Sequence, residues 1–196
     1  MSSASPAPVP PSPASPEHAT DHATEHAAGH ATEHAAEYSA DRLPRPNTTG
    51  RPCSAASALA LIGEKWALLA VREISFGNRR FDAIARNTGA SRDILTTRLR
   101  SLEAAGILER RPYQDRPTRY EYHLTPAGRD LQAVLQSLAS WGDRWVSERP
   151  PVVFRHEDHD FDFAVMCRTC GRQVRPGDVR LHRHAPGWDR TGPVAR

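Results

Sequence analysis

Two cysteines near the C-terminus have the spacing of a metal-binding knuckle. Cys167 and Cys170 are separated by two residues and followed by Gly171. In a zinc knuckle, thiolates at this spacing supply two of four tetrahedral ligands, and neutral imidazoles can complete the shell. The segment 152–188 is therefore predicted to contain half of a zinc site, with the other half open between two histidine pairs. These pairs are His156 with His159, and His182 with His184.

Two other interpretations of the cysteine pair stay open. Neither histidine pair has the spacing of a familiar zinc finger, and three aspartates at positions 158, 160 and 162 crowd the first pair. The cysteines could form a knuckle without metal, or a redox-active dithiol. A dithiol of the thioredoxin kind needs a strand–helix–strand context, which the sequence around the pair lacks.

A second histidine pattern lies near the N-terminus, where a histidine recurs at every fourth residue. The members are His18, His22, His26, His30 and His34. On a helix, residues four apart form one stripe, and imidazoles at that spacing can chelate a transition metal. The alternative is a solvated tail, because Gly29 interrupts the repeat and residues 1–16 are almost entirely Ser, Ala and Pro. We interpret residues 1–50 as a disordered low-complexity tail that carries the repeat.

The middle of the chain has the periodicity of consecutive short helices. Positions three and four apart between residues 59 and 73 form a stripe, and Gly63 marks a break between two helices. The stripe contains Leu59, Ile62, Trp66, Leu69 and Glu73. A third helix is predicted to start at Phe81 and to end at Thr88-Gly89. Ser91 is a good N-cap for a fourth helix that stops at Gly106.

A hairpin and a long helix are predicted to follow. The first strand, the turn and the return strand cover residues 107–113, 114–118 and 119–124. Thr125 is then an N-cap with Pro126 at the first helical position. The amphipathic helix that starts there is predicted to run through Val146, and the Pro150-Pro151 pair closes it.

This order of elements is that of a winged helix-turn-helix, whose second helix enters the major groove of DNA. In the fourth helix, Leu95, Leu99 and Leu102 point inward. Hydroxyl and guanidinium groups on the opposite face suit contacts with phosphates and base edges. The candidate DNA contacts are Arg92, Thr96, Thr97, Arg98 and Arg100 on this helix, Arg116 and Arg119 on the hairpin, and Arg80. The alternative is that these arginines form an ordinary solvated surface.

The charge distribution also points to an anionic partner for the middle of the chain. Residues 51–149 carry 16 basic against 11 acidic side chains, residues 1–50 carry 2 against 6, and residues 150–196 carry 8 against 6. Three cysteines are too few for a disulfide framework. The N-terminus lacks the apolar core of a secretory signal, and no apolar run is long enough to span a bilayer. We therefore expect a cytoplasmic protein.

Several stretches in the middle of the chain resemble the HxlR-type regulators, which are winged-helix relatives of the MarR proteins. These stretches are Arg51-Pro52-Cys53, Leu59 to Trp66, Arg79-Arg80-Phe81, Leu95 to Glu103, Gly106-Ile107-Leu108, and Tyr120 to Gly128. They follow in order, at the spacings of the family, over about half the chain. The resemblance implies a homodimer that binds a two-fold symmetric operator, with the terminal helices forming the dimer interface.

The resemblance also implies a role for Cys53. Several HxlR-type regulators sense oxidants or electrophiles through a cysteine just before the first helix, where this sequence has Pro-Cys-Ser. The dipole at a helix N-terminus favours the reactive thiolate. The alternative is an unreactive packed thiol, since cysteine is among the most buried residue types.

Together these patterns predict a mainly α-helical winged helix-turn-helix fold with a small β-hairpin, a long C-terminal dimerisation helix and an accessory knuckle. The DNA-binding and dimerisation domain covers residues 51–149, and residues 150–196 form an extension that could hold zinc. We expect a transcriptional repressor that binds double-stranded DNA, controlled by thiol modification or a small ligand. The alternative is a winged-helix protein-interaction scaffold. The sequence contains no phosphate loop, no paired carboxylates and no activated nucleophile, so we do not expect an enzyme.

Overall fold

The helix-turn-helix and its wing lie in the predicted order in the computed structural model, which describes residues 42–48, 51, 53–175 and 177–182. The helices are α1 (Ser54–Ile62), α2 (Lys65–Ser75), α3 (Phe81–Thr88), α4 (Arg92–Ala104) and α5 (Pro126–Trp145). The strands are β1 (Leu108–Asp115), β2 (Thr118–Leu124), β3 (Arg155–His156) and β4 (His159–Asp160). The predicted winged helix-turn-helix fold is confirmed.

The turn between α3 and α4 follows from its capping residues. Gly89 ends α3 with a φ of 74°, a left-handed conformation that costs a glycine little. The side chain of Ser91 then accepts a hydrogen bond from the backbone N–H of Ile94, at 3.4 Å, and caps the first turn of α4. The start of α4, and with it the angle between the two helices, is set by residues that the sequence displays.

The core of the domain lies around α2, which packs against α3, α4 and α5, while α4 also packs against β1. Leu95, Leu99 and Leu102 are at most 1% exposed, as predicted from the spacing of leucines in α4. Their neighbours in the core include Val71 of α2 and Ile84 of α3. Burying each large aliphatic side chain contributes about 1.5–3 kcal/mol, so the apolar side of α4 anchors the helix and leaves its other side free.

The wing is longer than predicted. β1 and β2 pair antiparallel from Leu108↔Leu124 to Asp115↔Thr118, and only two residues remain in the turn instead of the predicted 114–118. The register shifts between Pro112 and Gln114, so that Tyr113 is an extra residue in β1. This bulge lets the ladder continue where the sequence indicated a turn.

Two ends of the predicted elements also differ. Thr125 caps α5 as predicted, because its hydroxyl accepts a hydrogen bond from the N–H of Gly128 at 3.2 Å. The helix ends at Trp145, however, and Val146 is already its C-cap. At the other end of the domain, Leu43 packs against the core, so the packed region extends N-terminal of the predicted boundary at residue 51.

The extension contains a second, very short hairpin that was not predicted. β3 pairs with β4, and His156 lies opposite His159. Further along, Met166 and Gln173 form an isolated bridge around the cysteine pair. His182 lies outside any strand. His184 and the histidine repeat of residues 18–34 lie outside the described residues.

Within the described ranges, no single helix is both long and apolar enough to cross a membrane. The pair α1 and α2 reaches that length and composition only when taken together, and it is bent by 77°.

Candidate nucleic-acid interface

The outer side of α4 is mostly polar and accessible, with Ile94 as an exposed apolar residue in its first turn. Arg92, Thr97 and Arg100 are exposed, and Thr96 is half-buried. The hydroxyl of Thr96 donates to the carbonyl of Arg92 at 2.7 Å, and the hydroxyl of Thr97 donates to the carbonyl of Asp93 at 3.0 Å. Their oxygen lone pairs stay available as acceptors. This side of α4 therefore offers both cations and small hydroxyl groups to a ligand.

Arg92 is held in place by the helix before the turn. One of its terminal nitrogens lies 2.7 Å from a carboxylate oxygen of Asp82, and its guanidinium lies 4.9 Å from the ring centre of Phe81. Both members of this ion pair are largely exposed. The pair links the N-terminal turns of α3 and α4 and fixes where the cation lies.

Arg98 differs from the other candidates on α4. Its side chain is 30% exposed and lies 3.4 Å from the carboxylate of Glu64, the N-cap residue of α2. Among the described residues, its Nε is a buried nitrogen without a hydrogen-bond partner. Arg98 is thus directed towards the junction of α1 and α2, where it connects α4 to the rest of the domain.

The wing adds more cations. Arg116 lies in the turn of the hairpin and Arg119 on β2, and both are exposed. Arg80 precedes α3 and is attached to the wing, because its Nε donates to Glu121 of β2 at 3.1 Å. Its guanidinium also lies 4.5 Å from the ring centre of Tyr113, the bulge residue. Arg80 is therefore fixed beside the wing.

Between α3 and the wing lies an open groove with a volume of about 610 Å³. Arg80, Arg86 and Arg119 line it together with the aromatic rings of Tyr113 and Tyr120. Guanidinium groups and tyrosine hydroxyls are common partners of DNA phosphates. The groove thus has the chemistry of a site for the sugar–phosphate backbone.

A buried carboxylate positions these elements. The sequence did not identify it as a functional group. Glu73 of α2 is 4% exposed. One carboxylate oxygen accepts two bonds from Arg72, at 2.7 and 3.1 Å. The other accepts from Asn78 at 2.8 Å and from Asn87 of α3 at 3.0 Å. Glu73 therefore joins α2, the following turn and α3, which carries the groove.

The surroundings of Glu73 keep it ionised. Burial by itself raises the pKa of Glu73, but the hydrogen bonds from Asn87, Arg72 and Asn78 and the charge of Arg72 outweigh that effect. The pKa is therefore lowered from its ordinary value. In the sequence, the indication that Glu73 is buried was its position in the apolar stripe of residues 59–73. The stripe does not predict burial everywhere, because Leu59 is 61% exposed.

Cys53 lies where a reactive thiol was predicted. It is the N-cap residue of α1, and its side chain is exposed and makes no capping hydrogen bond. This location is compatible with access by an oxidant or electrophile. Its role as a sensor stays a prediction.

The predicted ligands of zinc are not brought together in the described part of the chain. There, no three side chains of His, Cys, Asp or Glu are grouped as a metal site. The rings of His156 and His159 contact each other edge to face at 5.4 Å. Cys170 has a pKa of about 7, lowered by hydrogen bonds from the backbone and side chain of Arg172 and from the Cys167 thiol. The cysteine pair is thus a local unit.

Comparison with known proteins shows that this chain is similar to transcriptional regulators. The model of the HxlR-like helix-turn-helix family matches residues 61–150. The HTH-type transcriptional regulator Rv3095 of Mycobacterium tuberculosis is 43% identical over 130 residues, which cover 64% of this chain and 82% of that protein. The regulator sll1512 of Synechocystis is 38% identical over 104 residues, covering 51% of this chain and 75% of that protein.

Two solved structures that are similar to this chain are also described as transcription factors. PA1607, described as a candidate transcription factor, superimposes with a TM-score of 0.59 at 28% identity, covering 67% of this chain and 95% of that one. PA1374 of Pseudomonas aeruginosa, another candidate transcription factor, superimposes with a TM-score of 0.50 at 33% identity, covering 70% and 96%. The similarity thus spans almost the whole of both solved chains.

Proposed function

Because the chain belongs to the HxlR-like helix-turn-helix family of DNA-binding transcriptional regulators, we propose that it is a repressor that binds a two-fold symmetric operator as a homodimer. The observation that carries the proposal is the exposed side of α4, with Arg92, Thr97 and Arg100 beside the cationic wing. In this arrangement α4 enters the major groove and the wing follows the backbone. A dimer bound over a promoter occludes it, and we place this action in the cytoplasm.

The roles of the individual side chains follow from their positions. Arg100 and Thr97, exposed on α4, read base edges; an arginine can bind guanine through two hydrogen bonds. Arg116 and Arg119 on the wing, with Arg80 at its base, contact phosphates. Arg92 lies between these groups and exchanges Asp82 for a phosphate. Thr96 is half-buried and contributes a contact at the edge of the helix.

Replacing Arg100 by alanine tests this assignment. We expect affinity for the operator to fall about 5- to 150-fold, which corresponds to the roughly 1–3 kcal/mol of one base contact. Binding to unrelated DNA is expected to change little, whereas Arg116→Ala weakens both kinds of binding. The measurement is fluorescence anisotropy with the upstream intergenic DNA of the gene and with a scrambled duplex, at several salt concentrations.

Arg149→Ala is the matched control, because it removes one positive charge from an exposed position beyond α5. It should behave like the unmodified protein on both duplexes. A chain whose DNA binding is absent, or independent of salt, would favour the scaffold function instead, since neutralised phosphates release counterions and make binding salt-dependent.

A second copy of the chain is the proposed partner of α5. Four large apolar side chains follow one side of this helix at spacings of four, three and four residues, and all are at least 40% exposed. They are Val134, Leu138, Trp141 and Trp145. A row of exposed apolar side chains along one side of a helix is typical of a protein–protein interface. A dimer formed through α5 would present two copies of α4 to half-sites about one DNA turn, roughly 34 Å, apart.

Modification of Cys53 is the proposed control signal. In the unmodified protein we expect an alkylating reagent such as N-ethylmaleimide to change operator affinity about 5- to 150-fold, the usual range of coupling between two sites. Cys53→Ser removes this response. The matched control is the double variant Cys167→Ser/Cys170→Ser, which should respond as the unmodified protein does. If the response follows that pair and not Cys53, the proposed sensor is wrong.

A small ligand is the other proposed effector, and one cavity fits it. The cavity holds about 240 Å³ between α2, α5 and the start of the extension. Phe76, Leu135 and Phe154 form apolar walls, and Gln132 and Gln136 add polar groups. This lining suits a small, largely apolar ring compound with a hydrogen-bonding substituent.

A further inference from the structure

The cysteine pair of the extension lies in a tight turn of the backbone. The N–H of Gly171 donates to the carbonyl of Cys167 at 2.7 Å, and the N–H of Cys167 donates to the carbonyl of Arg172 at 2.8 Å. The bridge between Met166 and Gln173 closes the base of this turn. This turn brings Cys167 and Cys170 to one bend of the backbone, as a disulfide between residues three apart requires.

The two thiols differ in access and in their neighbours. Cys170 is exposed, whereas Cys167 is partly buried. Arg172 follows Cys170 by two residues, and the positive charge of its guanidinium favours the thiolate of Cys170. Cys170 has the features of an attacking sulfur, and Cys167 those of the sulfur that resolves the first product.

We propose that Cys167 and Cys170 form a peroxide-reactive dithiol, a modification site separate from Cys53 and from the DNA-binding surface. Within the described residues, no third metal-ligating side chain joins the pair. A structural zinc ion needs four protein ligands. The turn supplies two thiols three residues apart at one bend of the backbone, an arrangement that suits a disulfide.

The reaction with hydrogen peroxide balances in two steps. The Cys170 thiolate attacks one peroxide oxygen, the O–O bond breaks, and a sulfenic acid forms while hydroxide leaves and takes up a proton as water. The Cys167 sulfur then attacks the Cys170 sulfur, the S–O bond breaks, and the leaving hydroxide takes the Cys167 proton as a second water. The two thiols lose two electrons to the peroxide, and a dithiol reductant such as dithiothreitol reverses the change.

The test uses the full chain with Cys53→Ser, which leaves the pair as its two remaining thiols because the sequence has three cysteines. With a small excess of hydrogen peroxide, we expect titratable thiols to fall from two per chain to none. The intact mass should decrease by two hydrogen atoms, and peptide mapping should show a bond between Cys167 and Cys170. Dithiothreitol should restore both thiols.

Two further variants separate the roles of the residues. Adding Cys167→Ser should leave a sulfenic acid on Cys170 that dimedone traps. Arg172→Gln should slow disulfide formation several-fold, whereas Arg168→Gln, which changes an exposed arginine in the same turn, should not.

The proposal is overturned by any of three results. The thiols of the purified protein could be protected from peroxide by one bound zinc ion per chain, which metal analysis would show. The pair could stay reduced in metal-free protein, or it could form disulfides only between chains. None of these results depends on DNA binding, so the proposed function stands or falls separately.

Discussion

Replacing Glu73 by alanine is expected to lower the free energy of unfolding by about 3 kcal/mol, because it leaves buried donors without their acceptor. The amides of Asn78 and Asn87 both donate to one oxygen of this carboxylate, and Arg72 donates twice to the other. Arg72 reaches water and recovers part of its solvation, which holds the loss at the lower end of the range for broken buried ion pairs. Urea denaturation followed by circular dichroism measures the change.

The same carboxylate makes stability depend on pH in the acidic range. Its pKa is lower in the folded chain than the ordinary value of 4.5. The stabilisation is therefore complete above the pKa of the unfolded chain and is lost as the pH falls through the pKa of the folded chain. We expect the difference in stability between the unmodified protein and Glu73→Gln to be constant near neutral pH and to shrink below about pH 4.5.

Glu148→Ala is the matched control, since it removes an exposed carboxylate outside the helices. It should unfold within about 0.5 kcal/mol of the unmodified protein. A Glu73→Ala protein of unchanged stability would contradict the role of this residue in joining α2 to α3. A destabilised protein that still binds operator normally below its unfolding range would restrict that role to stability.

Replacing both Leu138 and Trp141 by aspartate is expected to convert the protein to a monomer and to lower operator affinity by more than about a hundredfold. Two joined copies of α4 bind their half-sites as one unit, because binding of the first makes the second intramolecular. Charges placed on the apolar side of α5 would be buried without a partner in an apolar interface, which opposes association. Analytical ultracentrifugation measures the assembly, and anisotropy measures the affinity.

The control for this variant replaces Val179 and Leu181 by aspartate, two exposed apolar residues of the extension. It should remain dimeric and bind the operator normally. Circular dichroism should show that both variants retain their helices. A monomeric unmodified protein, or a Leu138/Trp141 variant that still dimerises, would exclude α5 as the interface.

The exposed side of α4 and the caps of the helices were predictable because their determinants are local. The Ser91 and Thr125 caps and the leucines of α4 each depend on residues within a turn or two, so the sequence displays them. The Tyr113 bulge depends on pairing with the opposite strand, which the apolar pattern of one strand does not encode.

The groups that support the interface were harder to predict, because their partners are distant in sequence. Glu73 receives a bond from Asn87, fourteen positions away, and Arg98 is drawn to Glu64. A side chain on the outer half of a helix wheel can still be directed sideways by such a partner. The sequence grouped Arg98 with Arg100 among the candidate DNA contacts, although the two have different surroundings in the folded chain.

In the proposed function, the ion pairs of Arg92 with Asp82 and of Arg80 with Glu121 would affect how the protein searches a chromosome. Each of these arginines must leave its carboxylate before it binds a phosphate, so an arginine–carboxylate ion pair is exchanged for an arginine–phosphate ion pair. The net attraction to any stretch of duplex is therefore smaller than the number of arginines suggests. A weaker hold on random DNA shortens each unproductive stay. In the proposed function, the acidic partners would thus shorten the residence time on unrelated DNA and leave more of the protein for its operator.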